Sequence, residues 1–388
     1  METELNAQMV ERLKTARAIR SPSVEHAFGS VLRHQFLPGV ALELVYSGNS
    51  IVTRSDPARG ITSSSSEVAI MAPMLEALRL EGGENVLEIG AGTGYNAALL
   101  DELVGPGGHV TSIDNQASVV DDARAHLGAA GRTRAHVVVG DGYAGWADAA
   151  PYDRIIATAS VRDIPLAWRD QLREGGLLVA PLRFGPGAQI VATFRRQGER
   201  LDSVSAVAGG FMPLRTDDQL LEEPLKVATD LDVAIASPRD GDSELMSELL
   251  VTVPTLEPVD SYPGLALFSL AGLIEPDWLV IRPRGRNGTW QGLIDRGSRG
   301  IVLIWPVPLP TGASHANLLV YGSEVAAERL RALLAELDTV AVDRVRVDAL
   351  PTVAPPPPAD VLYRQPNFTY VVNWRAARGE PPSAMADS

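Results

Sequence analysis

A glycine-rich turn that follows an acidic strand is the feature of this sequence with the clearest chemical meaning. The apolar run Val86-Leu87-Glu88-Ile89 leads directly into Gly90-Ala91-Gly92-Thr93-Gly94-Tyr95, where a helical pattern begins. Glycines at this place let the backbone approach a ligand closely at the carboxyl end of a strand. The spacing Gly-x-Gly-x-Gly differs from the Gly-x-Gly-x-x-Gly of proteins that bind a pyrophosphate at the helix N-terminus. The sequence therefore predicts a ligand that is not a dinucleotide.

Two further acids follow the next two predicted strands. Asp114, with Asn115 after it, ends the second strand, where an acid accepts hydrogen bonds from ribose hydroxyls. Asp141 stands between two glycines after the third strand and could accept from an adenine amino group. S-adenosylmethionine is a nucleoside without phosphates, and Glu88 would lie near its charged amino-acid end. We predict this cofactor, with S-adenosylhomocysteine as product, bound by Glu88, Gly90, Gly92, Thr93, Gly94, Tyr95, Asp114, Asn115, Asp141 and Gly142. The alternative is that these are ordinary strand-to-helix turns.

The elements that position these residues alternate strand and helix from residue 84 to 196. This alternation is typical of βαβ units, which build a parallel sheet with helices on both faces. The sequence predicts a doubly wound, Rossmann-like α/β domain. Its predicted strands are 85–89, 109–113, 136–139, 154–157, 177–180 and 189–195, and its predicted helices are 95–104, 117–127 and 164–171.

A serine-rich segment lies upstream of this domain, after two predicted short helices at residues 8–19 and 23–32. Glycine, serine, aspartate and proline dominate between Val45 and Ser66, which predicts a loop. An apolar helix is expected from Val68 to Leu80. Serine is a preferred N-cap residue, so Ser66 is expected to cap that helix.

The pattern changes again beyond Arg215. An acidic stretch between residues 216 and 242 includes Asp217, Asp218, Glu222, Glu223, Asp230 and Asp232. Strand-like runs at 278–281, 300–305, 317–321 and 368–374 and a helix at 324–337 follow it. We therefore predict a catalytic domain over residues 1–225 and a second, smaller α+β domain over residues 226–388, with a role in substrate recognition.

Composition excludes several classes of protein. The formal net charge of −14 argues against binding to nucleic acid or to an anionic membrane surface. The chain contains no cysteine, so thiolate metal sites and cysteine nucleophiles are excluded, and the histidines lack metal-ligand spacing. No signal-peptide pattern or membrane-spanning apolar run is present. We predict a cytoplasmic protein without a metal. The oligomeric state is left open, with a monomer favoured.

Several longer blocks resemble the protein L-isoaspartyl O-methyltransferase family. The resemblance covers residues 9 to 215 and includes more than the glycine turn, which other methyltransferases share. The matching blocks are Val24-Glu25-His26-Ala27-Phe28, Val31 to Pro38, Tyr46, Gly140 to Trp146, Pro151 to Ala159 and Glu174 to Pro181. The resemblance implies that the chain binds S-adenosylmethionine and methylates a free carboxylate of an altered aspartate in a peptide or protein.

The family's substrate loop, Thr-Ile-Ser-x-Pro, has changed in this chain. The position that matches its serine, which hydrogen-bonds the substrate carboxylate, is Ser66, with Ser65 and Ser64 as near alternatives, and Val68 replaces the proline. The resemblance thus implies a catalytic role for one of these serines, a role compatible with helix capping. Thr62, Ser63, Thr158, Ala159 and Ser160 are expected to flank the substrate; for the last three the alternative is a plain loop after a strand.

Two uses of this chemistry are open. The changed loop and the added domain resemble actinobacterial relatives that tailor ribosomally made peptides of the lanthipeptide and graspetide type. In these relatives a methyl ester on a specific aspartate closes to a succinimide. General repair of isoaspartate in aged proteins is the alternative. A third possibility, of another class, is a protein that binds the cofactor or a precursor peptide without catalysis.

Overall fold

The computed structural model describes residues 1–56, 60–216, 225–228, 231–259, 263–283, 289–308 and 314–375. The helices within these ranges are α1 Glu2–Thr15, α2 Pro22–Ser30, α3 Leu42–Val45, α4 Val68–Leu78, α5 Tyr95–Val104, α6 Ala117–Ala129, α7 Leu166–Gln171, α8 Asp242–Leu249, α9 Gly264–Ile274 and α10 Val325–Leu337.

The strands in the first part of the chain are β1 Ile51–Asp56, β2 Gly60–Ser65, β3 Asn85–Ile89, β4 His109–Asp114, β5 His136–Val139, β6 Tyr152–Ala157, β7 Leu172–Gly185, β8 Ala188–Gln197 and β9 Arg200–Ala208. Those of the second part are β10 Leu225–Ala228, β11 Leu231–Ile235, β12 Thr255–Val259, β13 Trp278–Pro283, β14 Trp290–Asp295, β15 Gly300–Pro308, β16 Ser314–Gly322, β17 Arg346–Pro351, β18 Val361–Arg364 and β19 Phe368–Asn373.

The main sheet has ten strands in the order β18-β19-β17-β9-β8-β7-β6-β3-β4-β5. The segment from β7 to β5 is parallel, and its order reverses direction at β3, as in doubly wound sheets. Val86 packs in the apolar core on one face and Leu87 in the core on the other. Strands covered on both faces read as continuous apolar runs, which is why the sequence showed this part clearly. The predicted α/β fold is confirmed.

The helices divide between the two faces of this sheet. The apolar side chains of α1, α2, α4, α5 and α6 form one core with Val86, Val110 and Val137. On the other face, α7 packs through the fully buried Trp168. α9 lies on that side as well, in contact with β7, β8 and β9.

The serine-rich segment is a β-hairpin, so the prediction of a loop was wrong. β1 and β2 pair antiparallel, and burial alternates along β2, with Ser63 and Ser65 turned inward. A strand built from serines has no alternation of polar and apolar residues, so the sequence pattern could not reveal it. The predicted cap was wrong too, because the N-cap residue of α4 is Glu67 and no side chain caps the helix.

A second sheet follows, with seven strands in the order β10-β11-β13-β14-β15-β16-β12. α9 contacts both β8 of the main sheet and β13 of this sheet, and α10 packs on β14, β15 and β16. One hydrophobic core runs through α9 and α10 from the main sheet to the second sheet. The two sheets therefore share their apolar interior.

The last three strands return to the main sheet. β17 pairs with β9 through Ala349 and Leu201, and β19 and β18 extend the edge beyond it. Residues 346–373 thus belong to the sheet that holds the glycine turn. The predicted division into domains 1–225 and 226–388 assigns these residues to the second domain instead. That division stays a prediction; Asp217, Asp218, Glu222, Glu223 and Asp230, on which it depended, lie outside the described residues.

Tyr370 on β19 fastens this returning segment to the loop after β6. Its hydroxyl donates to Asp163 Oδ1 at 2.9 Å and accepts from the Ile164 amide at 2.7 Å. Burial and the nearby Asp163 carboxylate raise the pKa of Tyr370 well above 10, so the phenol keeps its proton and remains a donor.

Replacement of Tyr370 by phenylalanine is expected to lower the free energy of unfolding by about 2 kcal/mol, because a charged acceptor and a buried amide each lose a partner. Urea denaturation measures the change. The control is Tyr363→Phe on the adjacent strand β18, where the described residues give the hydroxyl no hydrogen bond. Equal stability of the two variants would contradict the assigned role of the Tyr370 hydroxyl.

Candidate active site

A cavity of about 330 Å³ opens at the carboxyl ends of β3, β4 and β6. Its size is within the range of small-molecule sites. It brings together the glycine turn on one side and the serine hairpin on the other. The predicted site residues that line it are Glu88, Gly90, Gly92, Thr93, Tyr95, Asp114, Asn115, Gly142, Thr62, Ser63, Ser64, Ser65, Ser66, Thr158 and Ala159.

The glycine turn depends on a backbone conformation that other residues rarely adopt. Gly90 has a φ of 102°, and a Cβ built on it would lie 2.5 Å from Thr158 Oγ1. That hydroxyl cannot move away freely, since it donates to the carbonyls of Ile89 and Gly90 at 3.0 and 2.8 Å. The end of β6 therefore holds the turn in place.

The Asp114 carboxylate is fixed at the edge of the cavity. Oδ2 accepts from the Gly92 amide at 3.3 Å, and Oδ1 accepts from the Gln116 amide at 3.1 Å. Burial raises the pKa of Asp114, while these backbone hydrogen bonds lower it. Each carboxylate oxygen keeps further lone pairs, so Asp114 can accept hydrogen bonds from two ligand hydroxyls.

Glu88 is fully buried, and both its oxygens have protein partners. Asn96 Nδ2 donates to Oε1 at 2.8 Å and Ser112 Oγ donates to Oε2 at 2.5 Å. Burial raises the pKa of the carboxyl from 4.5 to about 7, while hydrogen bonds from Ser112 and Asn96 lower it. Glu88 reaches the cavity, but it also joins β3, β4 and α5 at the base of the turn.

Glu88 makes the stability of the chain depend on pH. Because its folded-state pKa of about 7 exceeds 4.5, the folded chain binds the additional proton between these two values. Stability contributed by the protonated carboxyl is therefore lost as the pH rises through about 7. From pH 5 to pH 8, Glu88→Gln is expected to gain about 2 to 3 kcal/mol of unfolding free energy relative to the unmodified chain. Urea denaturation at both pH values measures this; a pH-independent difference would contradict the raised pKa.

Three predicted site residues lie outside the cavity lining. Gly94 is the N-cap residue of α5, and a Cβ on it would lie 3.3 Å from the Cβ of Ala123 on α6. Asp141 is exposed and accepts from the Tyr143 amide at 2.9 Å. Ser160 is buried, with its hydroxyl directed to the carbonyls of Phe211 and Met212. The structure therefore does not bring these three residues to the cavity surface.

The four serines differ in what their hydroxyls contact. Ser63 Oγ accepts from Thr53 Oγ1 at 3.0 Å, and Ser65 Oγ accepts from Arg33 at 3.3 Å. Both side chains are buried. Ser64 and Ser66 are partly exposed, and no hydrogen bond to either hydroxyl occurs among the residues that the structure describes. Ser64 and Ser66 are therefore the serines with a hydroxyl free to meet a ligand.

The hairpin lies directly across the glycine turn. The Ser64 carbonyl is 3.5 Å from the position of a Cβ on Gly92. Gln116 Nε2 also donates to the Thr62 carbonyl at 3.1 Å, which ties the hairpin to the end of β4. A ligand held by the turn would consequently lie beside the serines.

The third wall of the cavity was not predicted from the sequence. Residues 210–216, which we call the strap, run from the main sheet across the cavity opening and all line it. Leu214 and Ser160 hydrogen-bond through their backbones, Tyr143 Oη donates to the Leu214 carbonyl at 3.0 Å, and Asn115 Nδ2 donates to Arg215 O at 3.0 Å. The pair Gly209-Gly210 after β9 is the only local sign of this crossing in the sequence, and it is a weak one.

The residues fit the predicted cofactor. Gly142, like Gly90, lies where a larger residue would not fit. A Cβ on Gly142 would lie 2.9 Å from Leu214 and 3.0 Å from Ile89. The partly buried carboxylate of Asp114 stands at the end of β4, where an acid accepts hydrogen bonds from ribose hydroxyls. A doubly wound sheet with this turn and these acids defines an S-adenosylmethionine-dependent methyltransferase.

Comparison with known proteins refines this class. The family model for protein-L-isoaspartate(D-aspartate) O-methyltransferase matches residues 3–219. The chain belongs to this family. The protein-L-isoaspartate O-methyltransferase of Ignicoccus hospitalis is 34% identical over 54% of this chain and 97% of its own length. That of Rhodopseudomonas palustris is 39% identical over 49% of this chain and 84% of its own length.

A solved structure titled protein-L-isoaspartate O-methyltransferase has a similar fold, with a TM-score of 0.52 at 22% identity. It covers 88% of this chain and 96% of the other chain. This span extends well beyond residue 219, so much of the C-terminal part has a counterpart in that fold. The extension is therefore not peculiar to this chain.

Membership in an enzyme family sets aside the alternative of a binding protein without catalysis. S-adenosylmethionine is the methyl donor of the family, in agreement with the cofactor predicted from the residues. None of the helices in the described ranges is long and apolar enough to cross a membrane.

Proposed function

We propose that this chain transfers a methyl group to the carboxylate of an aspartate or isoaspartate residue in a peptide or protein. The observation that supports this most directly is the single cavity shared by the glycine turn and the free hydroxyls of Ser64 and Ser66. A hydroxyl that donates to a carboxylate would hold the acceptor beside the methyl donor. The family and its relatives favour the same reaction.

The chemistry requires little acid or base catalysis. A carboxylate with a pKa near 4 is ionised at pH 7 and is itself the nucleophile. When bound, S-adenosylmethionine supplies an electrophilic methyl group. The contribution of the protein is alignment and exclusion of water. Ser66 would orient the carboxylate, while the hairpin and the strap enclose the reacting groups on two sides.

In the finer version of this proposal the chain matures a ribosomally made peptide. The methyl ester of a chosen aspartate is attacked by the next backbone nitrogen, which displaces methanol and closes a succinimide. The changed substrate segment favours this version, because Val68 replaces a proline of the family loop and three of the four consecutive serines lie in a strand.

General repair of isoaspartate is the second candidate. It is favoured by the relatives, which carry that name, and by the similar solved structure, whose match includes the C-terminal extension. The extension therefore does not argue for peptide tailoring. The two candidates differ in the acceptor, since repair must reject a normal aspartate that differs only in the position of one methylene group.

Paired peptides distinguish the candidates. Two peptides of the same sequence, one with aspartate and one with isoaspartate at a single site, are incubated with the chain and S-adenosylmethionine and analysed by mass spectrometry. An ester or succinimide on isoaspartate alone would establish repair, and one on aspartate would establish tailoring. Absence of product from both peptides would contradict the proposed carboxyl transfer.

A further inference from the structure

Arg33 is a fully buried cation behind the serine hairpin. It stands just after α2, in the first turn of a short 3-10 helix. Its Nη1 donates to the Val45 carbonyl at 2.8 Å, and its Nη2 donates to the carbonyls of Asn49 and Ser66 at 2.9 and 3.0 Å. Nη2 also donates to Ser65 Oγ at 3.3 Å. One guanidinium therefore joins three segments of the chain at the end of β2.

Among the residues that the structure describes, no carboxylate forms an ion pair with Arg33; the nearby Glu67, which also lines the cavity, acts on it without direct contact. All the oxygens that it contacts belong to carbonyls or to one hydroxyl, and its Nε has no partner among the described residues. Buried cations are ordinarily paired with an anion, because loss of hydration costs several kcal/mol or more. Burial lowers the pKa of Arg33, and the nearby Glu67 carboxylate raises it by less. The positive potential of this group is thus offset only in part.

The charge of Arg33 lies behind the serine end of the cavity. The residues that Arg33 holds, Ser65 and Ser66, line the cavity. The neighbouring Tyr95 also lines it, with a buried hydroxyl that has no hydrogen-bond partner in the described part of the chain. The substrate of the proposed reaction is an anion, and a cation in a poorly hydrated site attracts an anion more strongly than it would in water.

We propose that Arg33 is a positioning residue for the substrate carboxylate: it fixes the main chain at Ser65 and Ser66 and makes the serine end of the cavity selective for an anion. The inference rests on the proposed carboxyl transfer. Arg33 acts through the serines and through its field, and it need not touch the substrate.

The alternative is a purely structural arginine, and the chain contains a matched example. Arg154 donates to the carbonyls of Leu78 and Arg79 at 2.6 and 3.3 Å. These carbonyls lie at the C-terminal end of α4, whereas the site lies at its N-terminal end. Arg154 does not line the cavity. Replacement of Arg154 reports the effect of losing such a clamp away from the substrate.

The test compares Arg33→Lys, Arg33→Gln and Arg154→Gln with the unmodified chain. Each is given an isoaspartyl peptide and the same peptide with the carboxylate replaced by a neutral amide, and dissociation constants are measured with S-adenosylhomocysteine present. Lysine keeps the charge, and glutamine keeps a donor without the charge. If the first experiment shows aspartate to be the acceptor, the aspartyl peptide and its amide are used.

We expect the unmodified chain to prefer the anionic peptide by at least about tenfold, the size of one hydrogen bond to a charged group. Arg33→Lys and Arg154→Gln should retain the preference. Arg33→Gln should lose most of it while S-adenosylhomocysteine binds as before.

Retention of the preference in Arg33→Gln, or its equal loss in Arg154→Gln, would overturn the inference. If Arg33→Gln does not fold, the measurement on the unmodified chain still tests the inference. Equal affinity of the unmodified chain for the two peptides would overturn the inference. Methylation is measured in parallel. A chain that methylates the peptide without preferring the anion refutes only the role of Arg33, whereas failure to methylate any carboxylate refutes the proposed function and this inference with it.

Discussion

Replacement of Gly90 by alanine is expected to lower the affinity for S-adenosylmethionine by about 100-fold. Alanine at a φ of 102° is strained, and such strain costs on the order of 1–3 kcal/mol. The new Cβ would also lie 2.5 Å from Thr158 Oγ1, which is already held by two carbonyls. The turn can relieve this strain only by moving residues 90–92, whose backbone lines the cavity. Calorimetric titration measures the change.

Two controls separate the close contact from general damage. Gly131→Ala introduces a Cβ at a φ of 69° with nothing within 4 Å, outside the cavity lining, and should leave cofactor affinity unchanged. The double variant Gly90→Ala with Thr158→Ala should bind better than Gly90→Ala alone, because the contact is removed. Wild-type affinity in Gly90→Ala would show that the turn does not hold the cofactor.

Ser66→Ala is expected to lower kcat/KM for the peptide by about 100-fold, because a hydrogen bond that orients a developing or transferring charge has this order of effect. Ser66 Oγ has no hydrogen bond among the described residues, so the folded chain loses little when it is removed. Affinity for S-adenosylmethionine should stay the same. Steady-state kinetics with the peptide acceptor, combined with a cofactor titration, measures both quantities.

The neighbouring serines provide the matched controls. Ser63→Ala removes a hydroxyl that contacts Thr53 and should affect stability more than turnover. Ser64 has a free hydroxyl on the same hairpin. Activity retained in Ser66→Ala but lost in Ser64→Ala would move the role to Ser64. Activity retained in both would contradict a serine contact with the substrate.

The residues whose meeting at the cavity could be predicted from the sequence are those in which one local pattern determines both the fold and the position of the side chain. Gly90, Asp114 and Gly142 each end or follow an apolar strand, and parallel strands bring their carboxyl ends to one edge. Their meeting at the cavity therefore follows from the alternation of strands and helices alone. Asp141 shows the limit of this logic, since a turn next to the cavity directs its side chain outward.

The hairpin and the strap could not be predicted in the same way. Ser63 contacts Thr53 on the paired strand, and Ser65 contacts Arg33, which lies 32 residues away; the burial of the two serines therefore does not follow from apolar alternation. The strap is held through its backbone carbonyls, which accept hydrogen bonds from side chains of Tyr143, Asn115 and Ser160 that lie far from it in the chain. The pairing of Ala349 with Leu201 joins residues far apart in the chain. It could not be predicted, because the sequence of an edge strand does not indicate which strand it pairs with.

The central claim is that the acceptor atom is a carboxylate oxygen, and the chemical stability of the product tests it most directly. An isoaspartyl peptide and its aspartyl counterpart are incubated with the chain and S-adenosylmethionine carrying a deuterated methyl group, quenched in acid, and divided between acidic and mildly alkaline buffer. We predict a labelled methyl group that persists in acid and is lost in alkali as labelled methanol, with a succinimide or its hydrolysis product left behind. A label that survives alkali would place the methyl group on nitrogen or carbon and would contradict carboxyl transfer.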